Sequence, residues 1–118
     1  MHSIEWNDTH LSLLDQRKLP HQSDWIHLKT HHEVSQAIKD MVVRGAPAIA
    51  IAGAYGLALA IQNGEDRTQA AQTLFQARPT AVNLQWALER LSLVTDSEVL
   101  NEVKRIHQED LALNQSIG

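Results

Sequence analysis

The feature that most constrains this chain is the stretch of residues 44–61, in which no side chain after Arg44 carries a charge. After Arg44, Tyr55 supplies its only polar side chain. The length of the stretch and its many alanines favour a helix over a strand, with Pro47 at the first helical position. A helix that is apolar on every side is surrounded by protein. We therefore expect this helix to be the buried centre of the fold.

Small residues within this helix recur at intervals of four positions, which places them in rows along its surface. One row contains Ala48, Ala52, Gly56 and Ala60, and the other contains Ala50, Ala54 and Ala58. Such rows allow neighbouring helices to approach closely, because the ridges of one helix enter the grooves of another. The small residues therefore have a packing role that is independent of any ligand.

Residues 1–30 are the least helical part of the chain. Their apolar residues predict three short strands, at Ile4–Trp6, Leu11–Leu14 and Trp25–Leu28. Asn7 and Asp8 offer a turn after the first strand, and Pro20 interrupts the polar segment after the second. We expect these strands to form an antiparallel sheet, which must pack against other elements to persist.

Four further helices are predicted around the central one, each with a recognisable start. The predicted caps are Thr30 with Glu33 for the first helix, Asp66 for the third, Thr80 for the fourth, and Thr95 with Glu98 for the fifth. The apolar stripe of the first helix includes Met41 and extends to Val43. The predicted fold is α+β, with a small N-terminal antiparallel sheet of about three strands followed by a bundle of about five helices.

Composition narrows the possible functions of this chain. Its 118 residues suffice for one domain, 1–118, with a real core. A net charge of −4 offers no basic surface for nucleic acid, and the absence of cysteine excludes disulfides, thiolate metal sites and a cysteine nucleophile within the chain. The N-terminus does not resemble a signal peptide, and two glycines interrupt the central apolar stretch. We expect a cytoplasmic protein that binds neither membrane nor nucleic acid.

The start of the central helix is a candidate anion site. A helix N-terminus exposes unpaired N–H groups and the positive end of the macrodipole, Gly45 permits close approach, and Arg44 adds a fork of donors. Arg78 stands before another predicted helix start, and two such starts facing one cleft would suit a phosphate monoester. The same residues are equally compatible with a tight turn and a solvated arginine.

Asp110 is an unexpected residue in the last helix, because it continues an apolar row that contains Val99, Val103 and Ile106. It is either a carboxylate at the edge of the helix or a semi-buried carboxylate that orients an arginine.

The seven histidines raise the question of a metal site. His27, His31 and His32 are close in sequence, but their spacing matches no recognised ligand pattern. We therefore expect no metal, and solvated or capping histidines instead. The sequence also contains no Walker loop, no strand-borne Gly-x-Gly-x-x-Gly and no Gly-x-Ser-x-Gly, so we expect no cofactor.

Three blocks of the sequence resemble methylthioribose-1-phosphate isomerases, which share a fold with the alpha, beta and delta subunits of the nucleotide-exchange factor for translation initiation. The blocks are residues 13–20, 41–49 and 77–88, and residues 109–110 and 114–118 also fit. The motifs Arg-Gly-Ala-Pro-Ala and Ala-Arg-Pro-Thr-Ala-Val-Asn-Leu, in this order, are highly specific together. One departure lies at residues 50–53, where the family more often has its glycine earlier.

The resemblance implies a role for particular residues and for the whole chain. It implies that Arg44, Gly45, Ala46 and Arg78 bind the phosphate of the substrate. It also implies that the chain is the N-terminal domain of a longer enzyme, because the catalytic cysteine and aspartate of the family lie in a downstream Rossmann-like domain. The chain alone is therefore expected to be inactive, and the missing C-terminal domain is an expected partner.

The implied reaction converts an aldose phosphate, 5-methylthioribose-1-phosphate, to the ketose 5-methylthioribulose-1-phosphate in methionine salvage, without a cofactor and in a homodimer of the full-length protein. Two alternatives stay open. One is a regulatory module like the exchange-factor subunits, and the other is an isomerase of another sugar phosphate such as ribose-1,5-bisphosphate.

Overall fold

The computed structural model describes residues 3–18 and 23–117, with side chains for residues 3–17 and 23–111. Pro20 lies outside the described residues, as do the side chains of the block at 114–118 that fits the family. Within the described part, the order of elements is a sheet followed by helices. The predicted α+β fold is therefore confirmed.

The sheet contains three strands, β1 (Ile4–Trp6), β2 (Leu11–Leu14) and β3 (Trp25–Leu28), in the order β1-β2-β3. Both pairings are antiparallel, as predicted, and Leu13 lies opposite Ile4 on one side and Ile26 on the other. Apolar residues of the three strands, among them Leu11, Leu13 and Leu28, belong to the same buried cluster as the helices. This shared core stabilises a sheet too small to persist alone.

Five helices follow the sheet. They are α1 (His31–Lys39), α2 (Ala46–Gln62), α3 (Arg67–Ala77), α4 (Val82–Leu91) and α5 (Asp96–Ile117). Every residue from Ala50 to Ala60 is buried, and α2 contacts the other four helices and β1. The expectation that the apolar stretch forms the centre of the fold is confirmed. Among the described residues, no helix is long and apolar enough to cross a membrane.

Two glycines on α2 permit the close helix packing that the small residues predict. A Cβ atom added at Gly53 would overlap the end of the Leu84 side chain on α4. A Cβ added at Gly56 would lie 2.9 Å from Leu74 Cδ2 on α3 and 3.0 Å from Val34 Cγ1 on α1. The neighbouring helices therefore occupy space that a larger residue would need.

The end of α1 differs from the prediction. The helix stops at Lys39, and Met41 is 43% exposed and not part of the apolar stripe. Met41 adopts a left-handed conformation, with φ of 63°, and two hydrogen bonds close the helix, from Met41 N to Ile38 O and from Val42 N to Ala37 O. This is the Schellman pattern. The predicted stripe was therefore too long, because a local hydrogen-bonded stop overrides its periodicity.

The predicted caps give mixed results. Thr30 and Glu33 form the predicted capping box, and the Asp66 carboxylate accepts a hydrogen bond from Thr68 N at 2.8 Å. The prediction for Thr80 is wrong, because α4 begins at Val82 and its cap position is Ala81, without a side-chain hydrogen bond. Residues 78–81 form a turn that Ala81 N closes onto Arg78 O at 3.0 Å, which leaves Thr80 before the cap.

Candidate functional site

The start of α2 opens onto a cavity of about 290 Å³. Its wall combines the first residues of α2 with parts of β1, of the 3₁₀ turn Gln16–Lys18 and of α5. The polar side chains among its lining residues belong to Ser3, Gln16, Arg44, His107 and Asp110. This cavity is thus the place where the predicted anion site meets side chains from distant parts of the sequence.

The backbone at the start of α2 is open toward this cavity. Gly45 occupies the cap position with φ of 94°, and a Cβ added there would meet nothing within 4 Å. No described side chain caps the helix, and its first turn contains no acidic residue. Ala46 is the first residue of α2 and is exposed, while Pro47 is the second, one position later than predicted. The positive end of the helix macrodipole therefore has no neutralising group of its own in this turn.

The guanidinium of Arg44 is held at the edge of this opening. Its Nη2 donates a hydrogen bond to the carbonyl of Gln16 at 2.7 Å, and Gln16 N donates to the carbonyl of Val42 at 2.9 Å. The segment after β2 and the segment before α2 are therefore tied together by hydrogen bonds at Val42 and Arg44. Because an arginine has five N–H donors, this anchor leaves further donors for a ligand.

An ion pair between a buried carboxylate and an exposed arginine shapes the turn that contains Gln16. The carboxylate of Asp15, which is fully buried, accepts hydrogen bonds from the backbone N of Arg17 at 3.0 Å, from its Nε at 2.9 Å and from its Nη2 at 2.8 Å. The hydrogen bonds to Asp15 raise the pKa of Arg17. Sequence reasoning treated these residues only as a polar segment, and their presence in a family block was the signal for a structural role.

The start of α4 lies at the same end of the molecule as the start of α2. A second cavity, of about 240 Å³, is lined by Pro47 in the first turn of α2 and by Asn83 in the first turn of α4. Farther along, Leu57 of α2 and Leu88 of α4 line another common cavity. The order of these shared positions along the two helices is that of helices running in the same direction, and the first turns of α2 and α4 border one cavity. The first two cavities share Pro47, Ile51 and Asp110.

Arg78 lies at the end of α3, where it is partly buried. Its backbone N donates to Phe75 O at 3.2 Å, and its carbonyl accepts the bond from Ala81 that closes the turn before α4. Its side chain lines neither of the first two cavities. The structure thus brings Arg44 and Gly45 together in one cavity beside the start of α4, and a contact of Arg78 with the same ligand stays a prediction.

Tyr55 and His107 form a pair that sequence reasoning missed. Tyr55 Oη and His107 Nδ1 are 2.8 Å apart, although the residues belong to different helices. Burial raises the pKa of Tyr55 to about 12. The signal available in the sequence was Tyr55 itself, because a lone hydroxyl in a buried helix needs a hydrogen-bonding partner.

Asp110 is partly buried and lines both of the first two cavities. Two other carboxylates on α5 hold an arginine, Arg90 of α4, in position. Glu102 accepts a hydrogen bond from Arg90 Nε at 2.6 Å. Glu109 accepts two hydrogen bonds from the same arginine, from Nη1 at 2.9 Å and from Nη2 at 2.8 Å. These hydrogen bonds from Arg90 lower the pKa of both glutamates. The network joins α4 to α5 beside the second cavity.

The histidines near α1 pack against each other. The rings of His31 and His32 are 4.0 Å apart between centroids, and burial lowers the pKa of His31. His27 instead pairs with Ser12 on the neighbouring strand, at 2.8 Å. Within the part of the chain that the structure describes, no group of three or more histidine or acidic side chains is arranged to hold a metal ion.

Comparison with known proteins gives one family and a consistent set of relatives. Residues 42–118 match the Initiation factor 2 subunit family. The chain is 50% identical to a Methanocaldococcus jannaschii protein provisionally named methylthioribose-1-phosphate isomerase, over 98% of this chain and 36% of that protein. It is 43% identical to the methylthioribose-1-phosphate isomerase of Thermotoga maritima, over 98% of this chain and 38% of that enzyme. The chain therefore spans just over a third of the length of these relatives.

Two solved structures have the same fold. The crystal structure of 5-methylthioribose 1-phosphate isomerase from Pyrococcus horikoshii matches with a TM-score of 0.84 and 31% identity, over 91% of this chain and 36% of that one. Subunit delta of the translation initiation factor eIF-2B from A. fulgidus matches with a TM-score of 0.77 and 37% identity, over 94% of this chain and 38% of that one. The fold thus occurs both in an enzyme and in a translation-factor subunit.

Proposed function

Because this chain belongs to the Initiation factor 2 subunit family, we propose that it is the N-terminal, phosphate-binding domain of a cytoplasmic aldose–ketose isomerase. The proposed reaction converts 5-methylthioribose-1-phosphate to 5-methylthioribulose-1-phosphate in methionine salvage. The names of relatives that match nearly the whole chain support this choice. The single observation that carries the proposed role is the open start of α2, where Arg44 and the uncapped turn after Gly45 border one cavity.

The proposed ligand contacts follow from the geometry of this start. A phosphate bound next to Gly45 would accept hydrogen bonds from the free backbone N–H groups of the first turn, including that of Ala46, and from the guanidinium of Arg44. Arg78 is proposed as a second cationic contact, because it stands in the turn before α4 and the start of α4 neighbours that of α2. Two arginines suit the charge of a phosphate monoester better than that of a single carboxylate.

The contribution of such a site to catalysis would be orientation. The phosphate on the anomeric carbon prevents easy ring opening, so the enzyme must open the ring before hydrogen moves between the first two carbons, as a proton or as a hydride. Fixing the phosphate holds the reacting carbons in position, and orientation can lower a barrier by several kcal/mol. We propose that the groups that move hydrogen belong to the two thirds of the relatives that this chain does not match, and that the full-length protein is a homodimer.

The decisive experiment uses a chimera in which this chain replaces the matching N-terminal part of the Thermotoga maritima isomerase. We expect the chimera to isomerise 5-methylthioribose-1-phosphate. Arg44→Ala and Arg78→Ala should each raise KM and lower kcat/KM by about 10- to 150-fold, because each removes a charge-assisted phosphate contact worth about 1.5–3 kcal/mol.

Arg105→Ala serves as the matched control, because Arg105 is an exposed arginine on α5 that pairs with Glu102 and lines neither of the first two cavities. Its kinetics should equal those of the parent chimera. Unchanged kinetics in both Arg44→Ala and Arg78→Ala would remove the phosphate-binding role from this domain.

A regulatory module is the second candidate, favoured by the structural match to eIF-2B subunit delta. The full-length protein distinguishes the two functions, because a regulator would not turn over any sugar phosphate. If the protein is an isomerase, a comparison of 5-methylthioribose-1-phosphate with ribose-1,5-bisphosphate as substrates identifies which sugar phosphate it uses.

A further inference from the structure

The second cavity, which borders the first turns of α2 and α4, is lined mainly by apolar side chains. Ile51 of α2 and Ile106 of α5 are buried beside it, and Pro47 also lines it. The indole of Trp86 on α4 is a further part of the lining and is 49% exposed. The Arg90 guanidinium lies over this indole, with its Cζ 5.4 Å from the ring centroid. The cavity thus offers aliphatic and aromatic surface to a small ligand group.

This apolar cavity adjoins the proposed phosphate site. Both cavities are lined by Pro47 and Ile51. Pro47 directly follows Ala46, whose backbone N–H is a proposed contact of the phosphate. The apolar surface therefore begins in the same helical turn that would bind the phosphate, so one small molecule can occupy both cavities.

The charges around the second cavity favour an uncharged occupant. Of the described residues that line it, none is a lysine or an arginine, and two are the acids Glu109 and Asp110. Arg90, which lies over Trp86, already donates hydrogen bonds to Glu102 and Glu109. A second phosphate would lose its hydration here without gaining a cationic partner, whereas an apolar group gains free energy from burial.

We propose that the second cavity is the subsite for an apolar substituent on C5 of the sugar phosphate, with Trp86, Ile51 and Ile106 as its specificity-determining residues. This inference rests on the proposed function and deepens it, because it selects among the candidate sugar phosphates. The methylthio group of 5-methylthioribose-1-phosphate is such a substituent, since it is an uncharged thioether without a hydrogen-bond donor. Ribose-1,5-bisphosphate instead has a charged phosphate on the same carbon.

The experiment compares kcat/KM of the Thermotoga maritima chimera for 5-methylthioribose-1-phosphate and for 5-deoxyribose-1-phosphate, which lacks only the methylthio group. The chimera should prefer the first substrate by about 10- to 200-fold, the range for a small apolar group in an apolar pocket. Trp86→Ala should lower this ratio by about five- to tenfold, because it removes apolar contact area but no phosphate contact. Trp86→Phe keeps an aromatic ring and should retain most of the preference. Ribose-1,5-bisphosphate should be a poorer substrate than 5-deoxyribose-1-phosphate.

Val82→Ala is the matched control, because Val82 is an exposed apolar residue one turn before Trp86 on α4 and lines neither cavity. Its substrate ratio should equal that of the parent chimera, and thermal unfolding of each variant identifies any loss of folding. An equal loss of kcat/KM for both substrates in Trp86→Ala, or a parent chimera that prefers ribose-1,5-bisphosphate, would overturn the subsite. If Arg44→Ala still impairs turnover in that case, the proposed phosphate site remains. A parent chimera that isomerises none of the three substrates would refute the proposed function, and the subsite with it.

Discussion

Met41 and Gly64 occupy the same position in two copies of the same motif, one residue after the caps of α1 and α2. Both have positive φ, 63° and 74°, and both helices close with the same pair of hydrogen bonds. An L-residue in this conformation costs about 1–2 kcal/mol relative to glycine, because its Cβ crowds the following carbonyl oxygen. The chain therefore accepts backbone strain at Met41 that it avoids at Gly64.

The free energy of unfolding should rise when glycine is introduced at position 41 and fall when glycine is replaced at position 64. Met41→Gly should raise the free energy of unfolding by about 0.5–1 kcal/mol, and Gly64→Ala should lower it by about 1 kcal/mol. A Cβ at Gly64 would meet nothing within 4 Å, so its effect is purely conformational. Urea unfolding followed by circular dichroism measures both values, and an equal sign for the two changes would contradict the explanation.

At the residue scale, the position of the Arg44 side chain also explains why it is a candidate for binding the phosphate. Its anchor is the carbonyl of Gln16, 28 positions earlier in the chain, and the turn that contains Gln16 is built on the Asp15–Arg17 ion pair. The motif Arg-Gly-Ala-Pro-Ala contains the hydrogen-bond donors, but the position of the Arg44 guanidinium depends on residues outside the motif. A substitution at Asp15 would therefore be expected to act on the site through Gln16, without touching a ligand.

At the scale of elements, α2 organises the bundle because its neighbours approach it at glycines. Gly56 faces α1 and α3, and a Cβ at this position would lie 2.9 Å from Leu74 Cδ2 and 3.0 Å from Val34 Cγ1. Both side chains are fully buried, and valine has little freedom at χ1. Close packing at this point thus depends on the absence of a side chain.

Gly56→Ala should lower the free energy of unfolding by about 1–3 kcal/mol, even though alanine is the better helix former, because overpacking a filled core forces side chains off their preferred rotamers. The measurement is a double-mutant cycle with Val34→Ala, which removes one of the two obstructing side chains. We expect the cost of Gly56→Ala to shrink in the Val34→Ala background. An additive result, or stabilisation by Gly56→Ala alone, would show that the helices can move apart.

At the scale of the whole molecule, four separate segments assemble the cavity at the start of α2. They are β1, the 3₁₀ turn after β2, the connection from α1 to α2, and α5. This arrangement can hold an anionic group, but the described side chains that line it include no group that we assign to hydrogen transfer. The proposed division of labour assigns binding of the phosphate to this chain and chemistry to the part of its relatives that the chain does not match.

This division predicts that the 118-residue chain by itself does not isomerise 5-methylthioribose-1-phosphate, whereas the Thermotoga maritima chimera does. The assay follows ketose formation at equal concentrations of folded protein. The Arg44→Ala chain serves as the control for contaminating activity. Turnover by the chain alone that disappears in Arg44→Ala would show that this domain contains the catalytic groups.

Much of the fold was predictable because its signals are local. The strands, the capping box at Thr30 and the cap at Asp66 each depend on residues within a few positions of one another, and the structure confirms them. The failures are local as well. Thr80 was predicted to cap α4, but the turn closed by Ala81 shifts the start of the helix, and Met41 was assigned to an apolar stripe although the helix ends before it.

The candidate site was only half predictable, for a different reason. The donors at the start of α2 can be identified from Arg44 and Gly45 alone, because a glycine before a proline-containing helix start exposes its own backbone. The pairing of Tyr55 with His107 joins positions 52 residues apart, so no periodicity or spacing could reveal it. The contact of Arg78 with a shared ligand is a prediction that the chimera variants test.

The sequence by itself determined that the apolar stretch after Arg44 forms a buried helix with an open, arginine-flanked start, because apolarity on all sides and the chemistry of the first turn are properties of consecutive residues. Only the tertiary structure decided which groups face that start. The Gln16 carbonyl, the His107 ring and the first turn of α4 reach it through the packing of distant segments. That packing depends on the shape of the whole core, which no single stretch of sequence contains.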